Sequence, residues 1–224
     1  MALSGPDPDR LIETFRQQKI LTRQEMIAAG GSCWSTAQRI LKKQGYLNSY
    51  NQNARYYALL ETAEFDENGL WNCGEARFSR HGNLLETIVA LVEDSEAGLR
   101  QRDLHELLEV AVGSRLWDLN RKERLEREKI GSSYVYVSVC AQKARRQLEG
   151  RREAERQMVL RELPDRRHTV AVLVEMLRGE SRRPYNVARR LHRKGVEVSS
   201  GQVRKIVKYY DLDASKKNSS ECAS

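Results

Sequence analysis

The fold is decided by residues 20–60, which read ILTRQEMIAAGGSCWSTAQRILKKQGYLNSYNQNARYYALL, and by a second stretch that repeats their pattern. That second stretch, residues 98–138, reads GLRQRDLHELLEVAVGSRLWDLNRKERLEREKIGSSYVYVS. The two align without a gap at one constant offset, so the sequence predicts two copies of one small unit. The matched structural positions are Leu21 and Leu99, Met26 and Leu104, Leu41 and Leu119, Leu47 and Leu125, and Tyr56 and Tyr134.

The first copy predicts three helices. Apolar residues recur on one face over residues 8–19, as in an amphipathic helix. Thr22 and Glu25 are spaced as a capping box at the start of a short second helix. A third helix is expected to take Ser32 as its cap and to end at Gly45, because glycine accepts the positive φ of a helix C-terminus.

A two-stranded hairpin is predicted to follow the third helix. Its strands are residues 46–48 and 55–58, separated by a polar turn. The second copy repeats this plan, with a stronger strand signal in the β-branched and aromatic run of residues 134–139. The elements predicted for the second copy are helices over 84–94, 101–108 and 114–122, and strands over 125–130 and 134–139.

Four segments of the first copy, LTRQEMI (21–27), STAQRIL (35–41), GYL (45–47) and Tyr56-Tyr57, resemble the winged-helix DNA-binding domains of bacterial regulators. The resemblance covers roughly 40 residues per copy. It implies that the third helix enters the major groove and that the hairpin, or wing, touches the DNA backbone. The residues it assigns to DNA contact in the first copy are Ser35, Thr36, Gln38, Arg39, Lys42, Lys43 and, on the wing, Arg55.

The second copy departs from this pattern. Asp118 and Glu123 share its third helix, and Trp117 replaces the small polar residue expected on a reading face. Two interpretations therefore stay open for this copy, DNA contact or packing against its twin or a partner protein. The residues assigned to DNA contact under the first interpretation are Arg115, Arg121 and Lys122.

Two segments connect these units to each other and to the C-terminal third. Residues 61–82 contain four large apolar residues, and we expect this connector to pack between the two copies and hold them at a fixed angle. Residues 141–162 predict one polar helix with only a thin apolar line. A solvated connecting helix is the simplest interpretation of that line, and a short coiled coil that forms a homodimer is the open alternative.

The C-terminal third predicts a compact unit of three helices. A first helix over 169–178 is expected to turn Val170, Leu173, Val174 and Leu177 inward. A second helix is expected to open at Pro184.

The segment YNVARRLHRKGVEVSSGQVRKIV, residues 185–207, covers the rest of that unit. It predicts a glycine turn at Gly195 and a final helix capped by Ser199. The segment resembles the helix-turn-helix of homeodomain-like regulators and of transposase DNA-binding parts, which implies that the final helix reads DNA. The residues assigned to DNA contact are Arg182, Arg183, Arg189, Arg190, Arg193 and Lys194, followed by Ser200, Gln202, Arg204, Lys205 and Lys208.

The net charge of +8 is concentrated in the last third of the chain. Residues 1–139 hold 18 Lys and Arg against 20 Asp and Glu, a net charge of −2. Residues 161–212 hold 13 against 6, a net charge of +7. A phosphate-binding surface is therefore expected mainly at the C-terminal end, and the acidic N-terminal two-thirds leave a protein partner open.

The sequence contains no motif typical of catalysis or metal binding and no pattern typical of export. The 4 histidines and 4 cysteines lack metal-ligand spacing, and no nucleophile, zinc-protease or phosphate-loop motif occurs. We therefore expect no enzyme activity, no catalytic residue, no metal and no cofactor. The N-terminus lacks a signal-peptide pattern and no apolar run approaches the length of a membrane span, so we expect a cytoplasmic, nucleoid-associated protein without membrane contact.

Together these patterns predict a mainly α-helical chain with two small β-hairpin wings: a tandem winged helix-turn-helix followed by a trihelical helix-turn-helix. The expected function is sequence-specific binding of double-stranded DNA, as a transcriptional regulator or as an accessory or targeting factor of a mobile element. The alternatives are a winged-helix protein adaptor in a chromosome-organising or other DNA-processing complex, and an antitoxin-like autorepressor. The predicted segments are unit 1 over 1–60, the connector over 61–82, unit 2 over 83–140, the linker helix over 141–164, the basic unit over 165–212 and a disordered tail over 213–224.

Overall fold

The computed structural model describes residues 7–30, 33–163, 165–179 and 181–212, without the side chains of Val159 and Glu162. The predicted cap Ser32 and the predicted disordered tail lie outside these residues. Within them the chain is mainly helical with small antiparallel sheets, as the sequence predicts. The helices are α1 Pro8–Gln18, α2 Arg23–Gly30, α3 Trp34–Gln44, α4 Leu84–Asp94, α5 Gln101–Leu108, α6 Gly113–Arg121, α7 Ala141–Glu162, α8 Arg166–Arg178, α9 Pro184–Arg193 and α10 Ser200–Tyr209. The strands are β1 Ile20–Thr22, β2 Tyr46–Asn48, β3 Tyr56–Leu59, β4 Leu70–Cys73, β5 Ala76–Ser79, β6 Leu99–Arg100, β7 Glu126–Ile130 and β8 Ser133–Val137.

The chain divides into two compact units, Met1–Leu148 and Glu149–Ser224. The first contains both copies of the repeat and the connector, and the second contains the last three helices. Each unit is described by itself.

Local capping positions the helices of the first repeat. Asp7 accepts a hydrogen bond from the Arg10 N–H at 3.0 Å, and Pro8 occupies the first turn of α1. The predicted capping box is present, since Glu25 Oε2 accepts from the Thr22 N–H at 2.7 Å and Thr22 Oγ1 accepts from the Glu25 N–H at 3.4 Å. These caps explain why the helix starts could be read from sequence.

Both repeats build a three-stranded antiparallel sheet, where the sequence predicts only a hairpin. The extra strand is the short segment before the second helix, which gives the strand orders β1-β3-β2 and β6-β8-β7. A strand of two or three residues carries too little periodicity to be recognised. The constant offset between the repeats relates α2 to α5 without a shift, and it places Leu41 and Leu119 at equivalent positions in two separate cores.

The connector is a second feature that the sequence predicts incompletely. It forms a hairpin of β4 and β5, in which the Trp71 and Phe78 rings stack with centroids 5.0 Å apart. These rings pack in one cluster with Leu47 of the first repeat, while Leu70 lies in the core of the second repeat. The hairpin therefore lies against both repeats within the first compact unit.

The start of α7 is anchored to the second repeat by Gln147, which is only 2% exposed. Its Oε1 accepts a hydrogen bond from the Ser138 N–H at 2.9 Å. Its Nε2 donates to Val92 O at 2.7 Å and to Ser95 O at 2.8 Å. One amide thus satisfies three backbone groups, two at the end of α4 and one just after β8.

Replacing Gln147 with leucine is expected to destabilise the protein by about 2–4 kcal/mol, because three backbone groups lose their partner in a buried place. The free energy of unfolding in urea would measure this. Gln157→Leu is the matched control, since Gln157 is exposed on the same helix and its Nε2 donates to Glu153 Oε1, a side chain of that helix, at 2.7 Å. Equal effects of the two substitutions would contradict the anchoring role.

The second compact unit corrects the predicted burial of α8. Val172 is fully buried and Met176 is 5% exposed, whereas Val170 is 57% and Leu177 is 82% exposed. The predicted inward face of Val170, Val174 and Leu177 is therefore wrong. Apolar residues occupy most positions from 170 to 177, so their spacing could not select one face of the helix.

Candidate nucleic-acid interface

The predicted reading face of the first repeat lies on α3. Ala37 and Leu41 are fully buried, which turns the intervening residues towards the surface. Gly45 ends the helix with a φ of +77°, a conformation that suits glycine. Ser35, Arg39, Lys42 and Lys43 are exposed, and Thr36 and Gln38 are half-buried.

The loop between β2 and β3 carries the remaining predicted contact of this repeat. Arg55 is exposed and its guanidinium lies 5.6 Å from the centroid of the Tyr56 ring. The sequence between residues 33 and 60 contains four basic residues and no acidic one. This charge pattern favours an anionic ligand for α3 and its loop, although the surrounding region is net acidic.

Cys33 lies at the N-cap of α3 and is exposed. Its Sγ is 3.0 Å from Ser35 Oγ and 3.6 Å from Thr36 Oγ1. Hydrogen bonds from these hydroxyls, the Ser35 one first, stabilise the thiolate and lower the pKa of Cys33 to about 6.

We expect iodoacetamide to alkylate Cys33 at a rate that rises through about pH 6, because only the thiolate reacts. The double substitution Ser35→Ala and Thr36→Val removes both hydroxyls and should move this midpoint towards about 8.5, the ordinary value of a thiol. Mass spectrometry of the Cys33 peptide over a pH series measures both midpoints. A midpoint that the double substitution leaves in place would be incompatible with this explanation.

In the second repeat, the equivalent helix presents a different surface. Trp117 is 53% exposed, and the Arg121 guanidinium lies 4.6 Å from its ring centroid and 3.9 Å from Asp118. Arg115 and Lys122 are exposed on the same helix and at its end. The sequence between residues 111 and 138 holds six basic and four acidic residues, so this surface is nearly balanced in charge.

A groove of about 900 Å³ is lined by residues of both repeats. Its lining includes the loop from Tyr50 to Ala54 of the first repeat together with Leu84 and Arg115 of the second. The sequence did not predict that Arg115 would face the loop of the first repeat. Arg115 therefore lies in a different environment from Arg121 and Lys122, because neither of those two residues lines the groove.

The second compact unit presents α10 through a well-defined N-terminus. The Ser199 N–H donates to Gln202 Oε1 at 2.8 Å, and the Gln202 N–H donates to Ser199 Oγ at 3.2 Å. The side-chain Oε1 of Gln202 is therefore part of the N-terminal cap of α10. This role of Gln202 is not among the sequence predictions. Val203, Ile206 and Val207 are buried, and the outward residues are the half-buried Ser200 and Gln202 and the exposed Arg204, Lys205 and Lys208.

Two of the predicted phosphate contacts on α9 and just after it are tied to Glu175 of α8. This carboxylate is 6% exposed, and its oxygens lie 2.7 Å from Arg190 Nε and 2.5 Å from Lys194 Nζ. Hydrogen bonds from Lys194 and Arg190 lower the pKa of Glu175. Arg190 Nη2 also donates to Ser181 O at 2.9 Å, so this arginine joins three segments of the unit.

The remaining predicted cations of this region are exposed. The Arg189 guanidinium lies 6.0 Å from the centroid of the Tyr185 ring. The six cations are of one kind in the sequence, but Arg190 and Lys194 are four residues apart, which places them on one side of the helical turn. The members of the group that are exposed and have no such link to Glu175 are Arg182, Arg183, Arg189 and Arg193.

Other kinds of site find little support in the described residues. In that part of the chain, no three His, Cys, Asp or Glu side chains are grouped as a metal site would require. Nor does any helix among the described residues have both the length and the apolar character needed to span a membrane. No protein-family model matches the chain, and no curated protein is significantly similar to it.

Proposed function

We propose that the chain is a non-enzymatic protein that binds double-stranded DNA through the second compact unit and through α3. The observation that carries the proposal is the capped basic helix α10, preceded by a turn and by α9. A net charge of +7 between residues 161 and 212 supports it, because basic clusters supply most of the affinity for a phosphate backbone.

The order of elements also supports the finer fold assignment. Each repeat has three helices and a sheet whose last two strands form a hairpin, which is the plan of a winged helix. Helices α8 to α10 follow the plan of a trihelical helix-turn-helix, with α10 in the position of the recognition helix. These plans connect α3, its wing and α10 to the major-groove function that the resemblances imply.

Selection of bound sequences from a random duplex library, at two salt concentrations, tests this function. A sequence-specific binder enriches one motif, and its affinity falls steeply at the higher salt concentration. A selection that enriches no motif, or an affinity that does not change with salt concentration, would count against the proposal. The location of the motif would then distinguish the possible roles. A regulator or an antitoxin-like autorepressor would have it at a promoter, and a mobile-element factor would have it at the end of the element.

A second function, protein binding, is favoured for the second repeat by one observation. Its α6 exposes Trp117 beside Asp118 and Arg121, and exposed tryptophan and arginine are enriched in protein–protein hot spots. The first repeat would then read DNA, and the second would act as an adaptor.

Paired alanine substitutions on the two equivalent helices separate these roles. Lys42→Ala with Lys43→Ala on α3 is expected to weaken duplex binding about ten-fold, because two phosphate contacts are lost. Arg121→Ala with Lys122→Ala removes the same charge at α6 and is expected to weaken it less than about two-fold. Fluorescence anisotropy with the selected duplex measures both effects. Equal losses would mean that the second repeat also contacts DNA.

A further inference from the structure

The helix α8 leaves an apolar face uncovered, and the residues around it restrict what can bind there. Val170, Val174 and Leu177 recur at positions i, i+4 and i+7, and they are 57%, 36% and 82% exposed. They lie opposite the side on which Val172 and Met176 pack into the core. We call these three residues the outward face of α8.

A cavity of about 250 Å³ opens at one edge of the outward face. Among the described residues that line it, four are apolar and Arg182 is the one that carries a charge. The cavity has room for a single large aliphatic or aromatic side chain. Its apolar lining residues are Leu173, Met176, Leu177 and Leu212.

The charged side chains that the described residues of α8 expose beside the outward face are arginines. Arg166, Arg167 and Arg178 are exposed on α8 beside the three aliphatic residues. Within the described part of the chain none of them forms an ion pair, and the carboxylate of Glu175 is turned inward. An occupant with acidic side chains flanking an apolar stripe would match both the stripe and the arginines.

We propose that the outward face of α8 docks an acidic amphipathic helix of a partner protein, with one large apolar side chain in the adjacent cavity. A helix that lays apolar residues at i, i+3 or i+4 and i+7 into such a groove is a common recognition mode. The role goes beyond DNA binding, since α8 contacts α9 and α10 through its other side.

Other occupants fit this face less well. A second copy of the chain would bring three arginines against three arginines, and three aliphatic residues are few beside the roughly 20–30 residues per partner of a stable interface. Residues 213–224 contain no Leu, Ile, Val, Met, Phe, Tyr or Trp side chain for the cavity. Duplex DNA would meet the arginines, but it would press three aliphatic side chains against its charged backbone.

Two designed helical peptides test the proposal on the full-length chain. Each is about 16 residues long and carries leucines at i, i+4, i+7 and i+11, flanked by glutamates in one peptide and by lysines in the other. By fluorescence anisotropy, the acidic peptide is expected to bind with a Kd of tens of micromolar that rises at least about three-fold between 50 and 300 mM salt. The basic peptide is expected to bind at least about ten-fold more weakly. Similar affinities for the two peptides, or no binding of the acidic one, would overturn the proposal.

Three variants locate the binding site. Leu177→Asp should weaken the acidic peptide about ten-fold or more, while Val139→Asp, at an exposed valine of the first compact unit, should leave it unchanged. Arg167→Glu with Arg178→Glu should reverse the preference so that the basic peptide binds better, a gain that misfolding cannot produce. Wild-type peptide binding by Leu177→Asp would overturn the proposal. So would a dimer in sedimentation equilibrium that Leu177→Asp dissociates, or a loss of duplex affinity in that variant.

Discussion

Replacing Arg204, Lys205 and Lys208 of α10 with alanine is expected to weaken binding to the selected duplex by roughly 10²- to 10³-fold at about 100 mM salt. These side chains lie on the exposed side of the helix, opposite the buried Val203, Ile206 and Val207. The slope of log affinity against log salt concentration should become shallower by about 2.7, because three fewer counterions are released.

A matched triple substitution shows whether position or charge alone matters. Arg146, Arg152 and Arg161 are exposed on α7, and none of them was assigned to DNA contact. Changing these three to alanine removes the same charge and should weaken binding by less than about five-fold. If both triple variants lose affinity equally, α10 has no special role and the chain binds DNA only through its net charge.

Changing Glu175 to glutamine is expected to cost about 2–4 kcal/mol of stability in the second compact unit. The loss leaves Arg190 and Lys194 without the carboxylate that bonds to both of them. This loss is smaller than the roughly 3–5 kcal/mol for a fully buried ion pair, because the Arg190 and Lys194 side chains are 26% and 56% exposed and solvent screens them. Thermal unfolding of the full-length variant, followed by circular dichroism, measures the effect.

The lowered pKa of Glu175 gives this prediction a pH dependence. Its ionised form is favoured in the folded state, so its contribution is present above the ordinary carboxyl pKa of 4.5 and is lost as the pH falls through the lower, folded value. The difference between wild type and Glu175→Gln should therefore shrink below about pH 4.5. Glu197→Gln, at an exposed glutamate of the same unit, is the control and should have little effect at any pH. A Glu175→Gln protein as stable as wild type at pH 7 would refute the ion-pair role.

Much of the secondary structure could be predicted from sequence because local signals determine it. Caps and prolines mark where helices begin. The capping partners of Thr22 and Ser199 lie within three residues of them, and the ring of Pro184 fixes its own φ. The constant offset between the repeats predicted equivalent elements because the buried leucines of both repeats recur at the same spacing.

What the sequence could not predict depends on contacts between distant residues. The rotation of α8 follows from the bonds of Glu175 to α9 and the residue after it, and no pattern within α8 reveals them. Gln147 looks like any polar residue of a charged helix until Ser138 and Val92 are placed beside it. The DNA contacts are likewise predicted from residue type alone, and residue type does not reveal the ion pairs that Arg190 and Lys194 form with Glu175.

The most direct test of the central claim is the affinity of the full-length chain for its selected duplex, measured by fluorescence anisotropy from about 50 to 400 mM salt. The exposed cations of α3, α9 and α10 predict a linear decrease of log affinity with log salt concentration, with a slope of roughly −4 to −6. A duplex of unrelated sequence should bind at least about 10³-fold more weakly at physiological salt. A slope near zero, or equal affinity for any duplex, would contradict sequence-specific DNA binding by this protein.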